Sequence, residues 1–491
     1  MESFVLAVDQ GTSATKALLV DPAGEVAAQA STPVGIRHPG PGRVEQDAVE
    51  LLESVQAAIA ACLAQVAPTS VAGIGLSTQR ESVVLWESTT GKPAAPLVSW
   101  QDQRGAARAA ELTGAGHAEL VRHRTGLPLD PMFSALKMAA LLDEYDPGQG
   151  RAGRGELRIG TVDAWLLSCL TGVFATEIGN ASRTQLLDLR TGDWDPELLE
   201  LFDIPRAALP EVVASTGPFG TTGRLLSPLP AGVPVLAVLG DSHAALFAHA
   251  GWRRGVVKAT YGTGSSVMTV AGAPGAAGGV CDTIAWSLGN RPTFAHEANI
   301  RSSGRTLTWL AELLDLSPDQ VVSLAEDNEA GDVTLVPAFG GLGAPWWDSR
   351  AVPVLAGFDF GTGRGQLARA AFESIAHQVD DVLKAFTGLS RVVADGGLTR
   401  SAALMQLQAD LSGVEVARTR HPQLSAAGAG ALAGLALDWW STADLEQRAD
   451  RGLEAFTPSW DDKRRGIAAA RWHQRLEAAR GLGVPPQEGT R

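Results

Sequence analysis

From Phe4 to Val20 the chain reads FVLAVDQGTSATKALLV, an apolar run of strand length, a polar turn carrying Asp, Gly, Thr and Ser, and a second apolar run behind Lys16. The pattern predicts a β-hairpin with strands at 4–8 and 15–20. DPAG then makes a second turn, and EVAAQAS a third strand. A comparable pattern returns after Gly255: VVKATY, then Gly-Thr-Gly-Ser-Ser, then VMTVAG and a Gly/Pro turn. Two hairpins with hydroxyl and glycine turns predict two similar domains facing each other across a cleft.

Helical periodicity marks AVELLESVQAAIAACLAQV, DPELLELFDIP, GRTLTWLAELLDL and QLARAAFESIAHQVDDVLKAF, while VAGIGLSTQRESVVLWES reads as strand, polar turn, strand. GALAGLALDWW reads as a buried helix and the tail GLGVPPQEGTR as disordered. This is an α/β pattern. The break falls between Gly240 and Gly251, giving expected domains 1–245 and 246–491.

Length supports the division, since 491 residues exceed one ordinary core. No apolar run approaches the roughly 18 residues of a membrane span, and MESFVLAVDQ lacks a basic signal region, so the chain reads as cytoplasmic. Three widely spaced cysteines read as buried, inert thiols. A net charge of −14 argues against a nucleic-acid surface. Only 6 of the 40 basic residues are lysines, which singles out Lys16.

At the first turn, Gly11, Thr12 and Ser13 offer amides and hydroxyls to phosphate oxygens, Lys16 a point charge, and Asp9 a carboxylate for a hydrated Mg²⁺. Together they point to a nucleoside triphosphate; the plainer alternative is a tight hairpin of turn-forming residues. The second turn, Thr260 to Ser266 with Thr263, would supply matching donors from the facing domain. A third turn at Asp395, Gly396 and Gly397 leads from strand to helix and lets a ring or ribose approach the backbone. Asp241, closing LAVLGDSH, is either a helix N-cap or a general base for a substrate hydroxyl. Arg80 with Glu81, and Trp100 with Asp102, could grip hydroxyls and cover C–H surface; the alternatives are a surface ion pair and a core indole.

VDQGTSATKA, STQRESVVLW, WQDQR, GTVDAWLLSCLTG, GDSHAALF, TYGTGSS, VPAFGGLGAPWWD, FESIAHQVDDVL, DGGLTRSAALMQLQADL and AAGAGALAGLALDWW occur in that order. Jointly they resemble the FGGY carbohydrate kinases, most closely the glycerol kinase branch. The resemblance implies two actin-like, ribonuclease-H-like (ASKHA) domains with a central ATP and substrate cleft. It implies Asp241 as catalytic base, Asp9 and Asp241 at Mg²⁺, and Gly11, Thr12, Ser13, Lys16, Gly262 and Thr263 near phosphates. Gly304, Thr308, Gly396, Gly397 and Ser401 would lie near the nucleoside, and Arg80, Glu81 and Trp100 at the polyol. The departures enlarge the expected substrate site. Met132 stands where glycerol kinases carry Tyr, Ser242 where they carry Gln, and Ser266 where they carry Phe, with His243 following Ser242 as in pentulose kinases. The expectation is ATP-dependent phosphorylation of a primary hydroxyl on a C3 to C5 polyol or ketose in carbohydrate catabolism. Partners would be ATP, the polyol or sugar and, in a homodimer, a second copy. Glycerol kinase proper, a xylulokinase, and a non-catalytic actin-like nucleotide-binding regulator are the alternatives.

Overall fold

The computed structural model describes residues 3–67, 70–223, 229–275, 279–419, 421 and 423–483. Two sheets organise it. In the first, strands lie in the order Val26–Pro33, Ala14–Val20, Phe4–Gln10, Val71–Thr78, Val235–Gly240. The first three are antiparallel, and the last two run parallel to Phe4–Gln10. The second repeats that order and sense with Arg291–Ile300, Ser265–Ala271, Val256–Tyr261, Arg391–Asp395 and Glu415–Arg418. One extra strand lies at each edge, Cys281–Leu288 and Glu454–Phe456. The two hairpins are therefore the same pair of strands in two copies of one topology.

Strand register decides what each sheet presents to the other. Val5, Ala7 and Asp9 lie opposite Val20, Leu18 and Lys16, so apolar pairs give way to a charged pair at one end of a single face. In the second sheet Lys258 and Thr260 lie opposite Met268 and Ser266, which in turn oppose Glu297 and Asn299. Val5, Ala7, Leu18, Ala237 and Leu239 share a buried cluster with Met268, Ala285 and Ala295, which joins the halves beneath the polar end.

The helix Leu424–Ala436 belongs to the second half by sequence but packs on the first sheet, in the same cluster. Its small residues make this possible, because a Cβ at Gly428 would collide with the Ala244 carbonyl, and one at Gly75 with that of Ala429. The helix ends at Ala436, short of the tryptophans in the predicted stretch. The helix Asp241–Ala248 runs through the expected 245/246 division. The third strand, Val26–Pro33, extends two residues past its predicted end. STQRES does not fold its flanking strands onto each other: Val71–Thr78 stays in the first sheet, whereas Val83–Glu87 joins a separate five-stranded sheet. Of the predicted disordered tail, residues 484–491 lie outside the described ones. No helix among the described residues is long and apolar enough to cross a membrane.

Candidate active site

A cavity of about 850 Å³ opens where the polar ends of the two sheets meet. Asp9, Lys16, Asp241 and Ser242 line it from the first half, and Lys258, Thr260, Asp395, Gly396 and Gly397 from the second. Asp9 accepts a hydrogen bond from Ser77 Oγ at 2.8 Å. Burial, and then the nearby Asp241 carboxylate, push its carboxyl up to about 6. Two carboxylates that repel each other beside a phosphate-sized space fit Mg²⁺, which keeps waters and takes few protein ligands. Among the described residues, no group of three or more His, Cys, Asp or Glu forms an all-protein metal cage.

Asp241 begins the helix Asp241–Ala248, and Gly240 is its N-cap, so capping does not explain the aspartate. Its Oδ1 accepts from the Ser242 amide at 2.6 Å and from Arg80 Nε at 3.2 Å. The side chain is still 36% exposed. One oxygen is held and the other is open.

Behind Asp241 lies a buried ion cluster that local sequence does not announce. Arg80 donates to both carboxylate oxygens of Glu297, at 2.8 and 2.7 Å, and approaches His243 Nε2 at 3.3 Å. Arg183 donates to Glu81 at 2.7 Å and lies 3.1 Å from Glu297. Burial alone would raise the Glu297 carboxyl, but Arg183 and Arg80 hold it far below the usual range. Burial, then the Arg80 charge, drives His243 well below the usual imidazole range and keeps it neutral. Arg80 and Glu81 are thus no surface pair. Both are buried, and Arg80 reaches the cavity through Asp241.

The remaining predicted residues surround this centre without lining the cavity. Trp100 Nε1 donates to Thr12 Oγ1 at 3.0 Å, bracing the first turn, which the Gly11 amide closes on the Ala14 carbonyl at 3.0 Å. Ser13 is exposed at its tip. Asp102 is buried against Arg104 and the Val44 amide, a structural role. Met132 is partly buried beside Phe133, Cys281 and Trp347. Its segment is pinned by Lys137 Nζ, which donates to the carbonyls of Pro131, Met132 and Phe133.

The second turn rests on the helix Gly304–Leu314. The Gly304 amide donates to Gly262 at 2.9 Å, and those of Ser303 and Arg305 each donate to Thr263 at 3.1 Å. Thr263 and Thr308 are exposed. Ser266 Oγ is buried with no hydrogen-bond partner among the described residues. Gly396 has φ of +97°, which a side chain would strain, and its Cβ would strike the Tyr261 backbone. The expected strand-to-helix step here is corrected: a 3-10 turn, Gly397–Arg400, intervenes, and the helix starts at Ala402. Ser401 caps that helix and donates to Glu326 at 2.5 Å.

Sequence reasoning missed Arg183, Lys258 and Glu297. For Lys258 and Glu297 the available signal was a charged residue inside an otherwise apolar strand pattern, VVKATY and FAHEANI; Arg183, in the turn ASRTQ, carried none.

Residues 4–248 match the FGGY family of carbohydrate kinases, N-terminal domain, and residues 257–437 match its C-terminal domain. The chain is 42% identical over 466 residues to an apulose kinase of Pectobacterium atrosepticum, covering 93% of this chain and 94% of that protein. It is 40% identical to a glycerol kinase of Aromatoleum aromaticum, covering 98% and 99%. Among solved structures, Plasmodium falciparum glycerol kinase with ADP superposes with a TM-score of 0.91 at 26% identity, over 97% of this chain and 98% of that one.

Proposed function

The chain belongs to the FGGY family of carbohydrate kinases, and from that premise we propose that it transfers the γ-phosphoryl group of ATP to a primary hydroxyl of a four- or five-carbon ketose or polyol. The observation that carries the reading is Asp241. One oxygen is fixed by Arg80 and the Ser242 amide, and the side chain opens into a cavity it shares with Asp9 and Lys16.

The free Oδ2 accepts the acceptor's hydroxyl proton as that oxygen attacks phosphorus. Arg80, locked by Glu297, keeps Asp241 from rotating away. Lys16 and the amides of Thr12 and Ser13, in the turn that Gly11 closes, face the phosphates from the first half, with Gly262 and Thr263 across from them. Gly396 and Gly397, with Gly304, Thr308 and Ser401 nearby, frame the nucleoside. Asp9 and Asp241 would hold Mg²⁺, which supplies charge neutralisation to the phosphate oxygens. Little covalent work falls to the protein, so positioning in a closed, dry cleft carries most of the acceleration.

Substrate size follows from the departing positions. Ser242 on the wall and, behind it, the Ser266 hydroxyl without a hydrogen-bond partner among the described residues offer polar groups to a longer acceptor, and Met132, packed with Phe133, Cys281 and Trp347, brings an adaptable apolar side chain in place of a phenol. The apulose kinase relative is in keeping with this. A second reading, glycerol itself as acceptor, is favoured by the glycerol kinases at about the same identity. A coupled ADP-release screen over three- to six-carbon polyols and ketoses tests the proposal. Release is expected only when an acceptor is present, and release indifferent to every acceptor would count against it.

A further inference from the structure

The cleft contains a second lysine whose position local sequence does not explain. Lys258 is 1% exposed, yet its side chain forms part of the cavity wall. It makes no hydrogen bond or ion pair with any described residue. Of the carboxylates near it, Asp395 on the same wall is paired with His249 Nε2 at 3.1 Å, and Asp241 on the opposite wall accepts from Arg80 and the Ser242 amide; neither is hydrogen-bonded to Lys258.

Burial lowers the proton affinity of Lys258, and Asp395, Glu297 and Asp241 attract its ammonium without a hydrogen bond to it. A buried ammonium with no direct partner of its own is suited to a ligand that brings a further anion. Register fixes the direction from which that anion comes. Lys258 and Thr260 alternate onto the face that meets the first half, and both line the cavity opposite Asp9 and Lys16.

We propose that Lys258 is a second phosphate-facing cation, one that holds the non-bridging oxygens of the phosphoryl group as it passes from ATP to the acceptor. The inference rests on the kinase reading above. In the step concerned, the bond from the γ-phosphorus to the β,γ-bridging oxygen breaks and its electron pair leaves with ADP. A bond from the acceptor oxygen to phosphorus forms, and the hydroxyl proton goes to Asp241. Lys258 transfers no proton in this step. Because it starts dry and needs no reorganisation, its charge acts more strongly on the transferring group than a solvated lysine would.

The division of labour follows. Lys16, partly exposed on the opposite wall, grips the nucleotide in the ground state; Lys258 acts on the group in flight. Replacing it should therefore lower kcat while leaving KM for the acceptor unchanged.

The test compares wild type with Lys258→Met and Lys258→Arg, adding Lys258→Gln should Met disturb packing. In Lys258→Met, kcat is expected to fall about 10²–10³-fold, as for loss of one preorganised transition-state donor, with partial recovery in Lys258→Arg. By calorimetry the Met variant should bind MgADP like wild type but lose the added affinity for MgADP with aluminium fluoride. Wild-type turnover in Lys258→Met, or equal losses for MgADP and MgADP with aluminium fluoride, would overturn the inference. Absence of acceptor-dependent ADP release in the wild type would overturn both it and the kinase reading.

Discussion

The two sheets share one topology but contribute opposite kinds of wall. The first half presents Asp9, Lys16 and Asp241 at the cavity, with Asp241 open on one side and Asp9 held protonated to about pH 6 by burial and its neighbour. The second half presents charge already locked or fully buried: Glu297 clamped by two guanidinium groups, Asp395 held by His249, and Lys258 without exposure. Duplication supplies two equivalent hairpins, and the elements behind each decide its task. On the reading proposed above, the open wall carries the base and the locked wall supplies charge fixed in place beforehand.

The contrast is broken most severely at Asp241. Asp241→Asn should cost about 10²–10⁴-fold in kcat, since an amide cannot take the proton, while MgATP affinity and folding survive. Stopped-flow turnover beside calorimetry checks both parts.

Neutralising the locked wall should damage the fold instead. Glu297→Gln leaves Arg80 and Arg183 buried with one counter-charge fewer. A loss of about 3–5 kcal/mol in a denaturant titration is expected, with activity falling as Asp241 loses its support.

The same chemical change on the open wall should have the opposite sign. In the metal-free protein, native Asp9 binds its proton more tightly than the unfolded chain does. Its ionisation therefore costs stability once pH rises past about 6, and the cost disappears below the ordinary carboxylate range. Asp9→Asn should raise stability at neutral pH by at most about 3 kcal/mol. The gain should fade between pH 6 and about 4, as melting curves across that window would show. Equal signs for Asp9→Asn and Glu297→Gln would erase the distinction between the walls. Smallest is Lys16→Ala, which should weaken MgATP binding by about 1.5–3 kcal/mol without altering acceptor preference.

What local pattern encodes, the sequence made readable. Alternation and turn residues marked both hairpins, and a Gly-Asp pair after an apolar strand marked Asp241, which the structure places at the start of a helix on the cavity wall. Asp9 and Lys16 were legible for the same reason, facing each other across one hairpin. Glu297 was not, because its partners Arg80 and Arg183 are remote in sequence and meet it only once the halves dock. Lys258 escaped notice because a lysine inside an apolar strand has no local signature of the face it will occupy. The seat of the Leu424–Ala436 helix on the first sheet was hidden likewise: its glycines and alanines signal close packing, not the partner.

Phosphoryl transfer from ATP to an acceptor longer than glycerol is put to the sharpest trial by the ratio of kcat/KM for a five-carbon ketose to that for glycerol. Measured on the wild-type enzyme at saturating MgATP, with matched three-, four- and five-carbon substrates, the ratio should favour the longer acceptor by about tenfold or more, because Ser242 and Ser266 offer it further polar groups. Glycerol emerging as clearly the best substrate would contradict the account of Met132, Ser242 and Ser266.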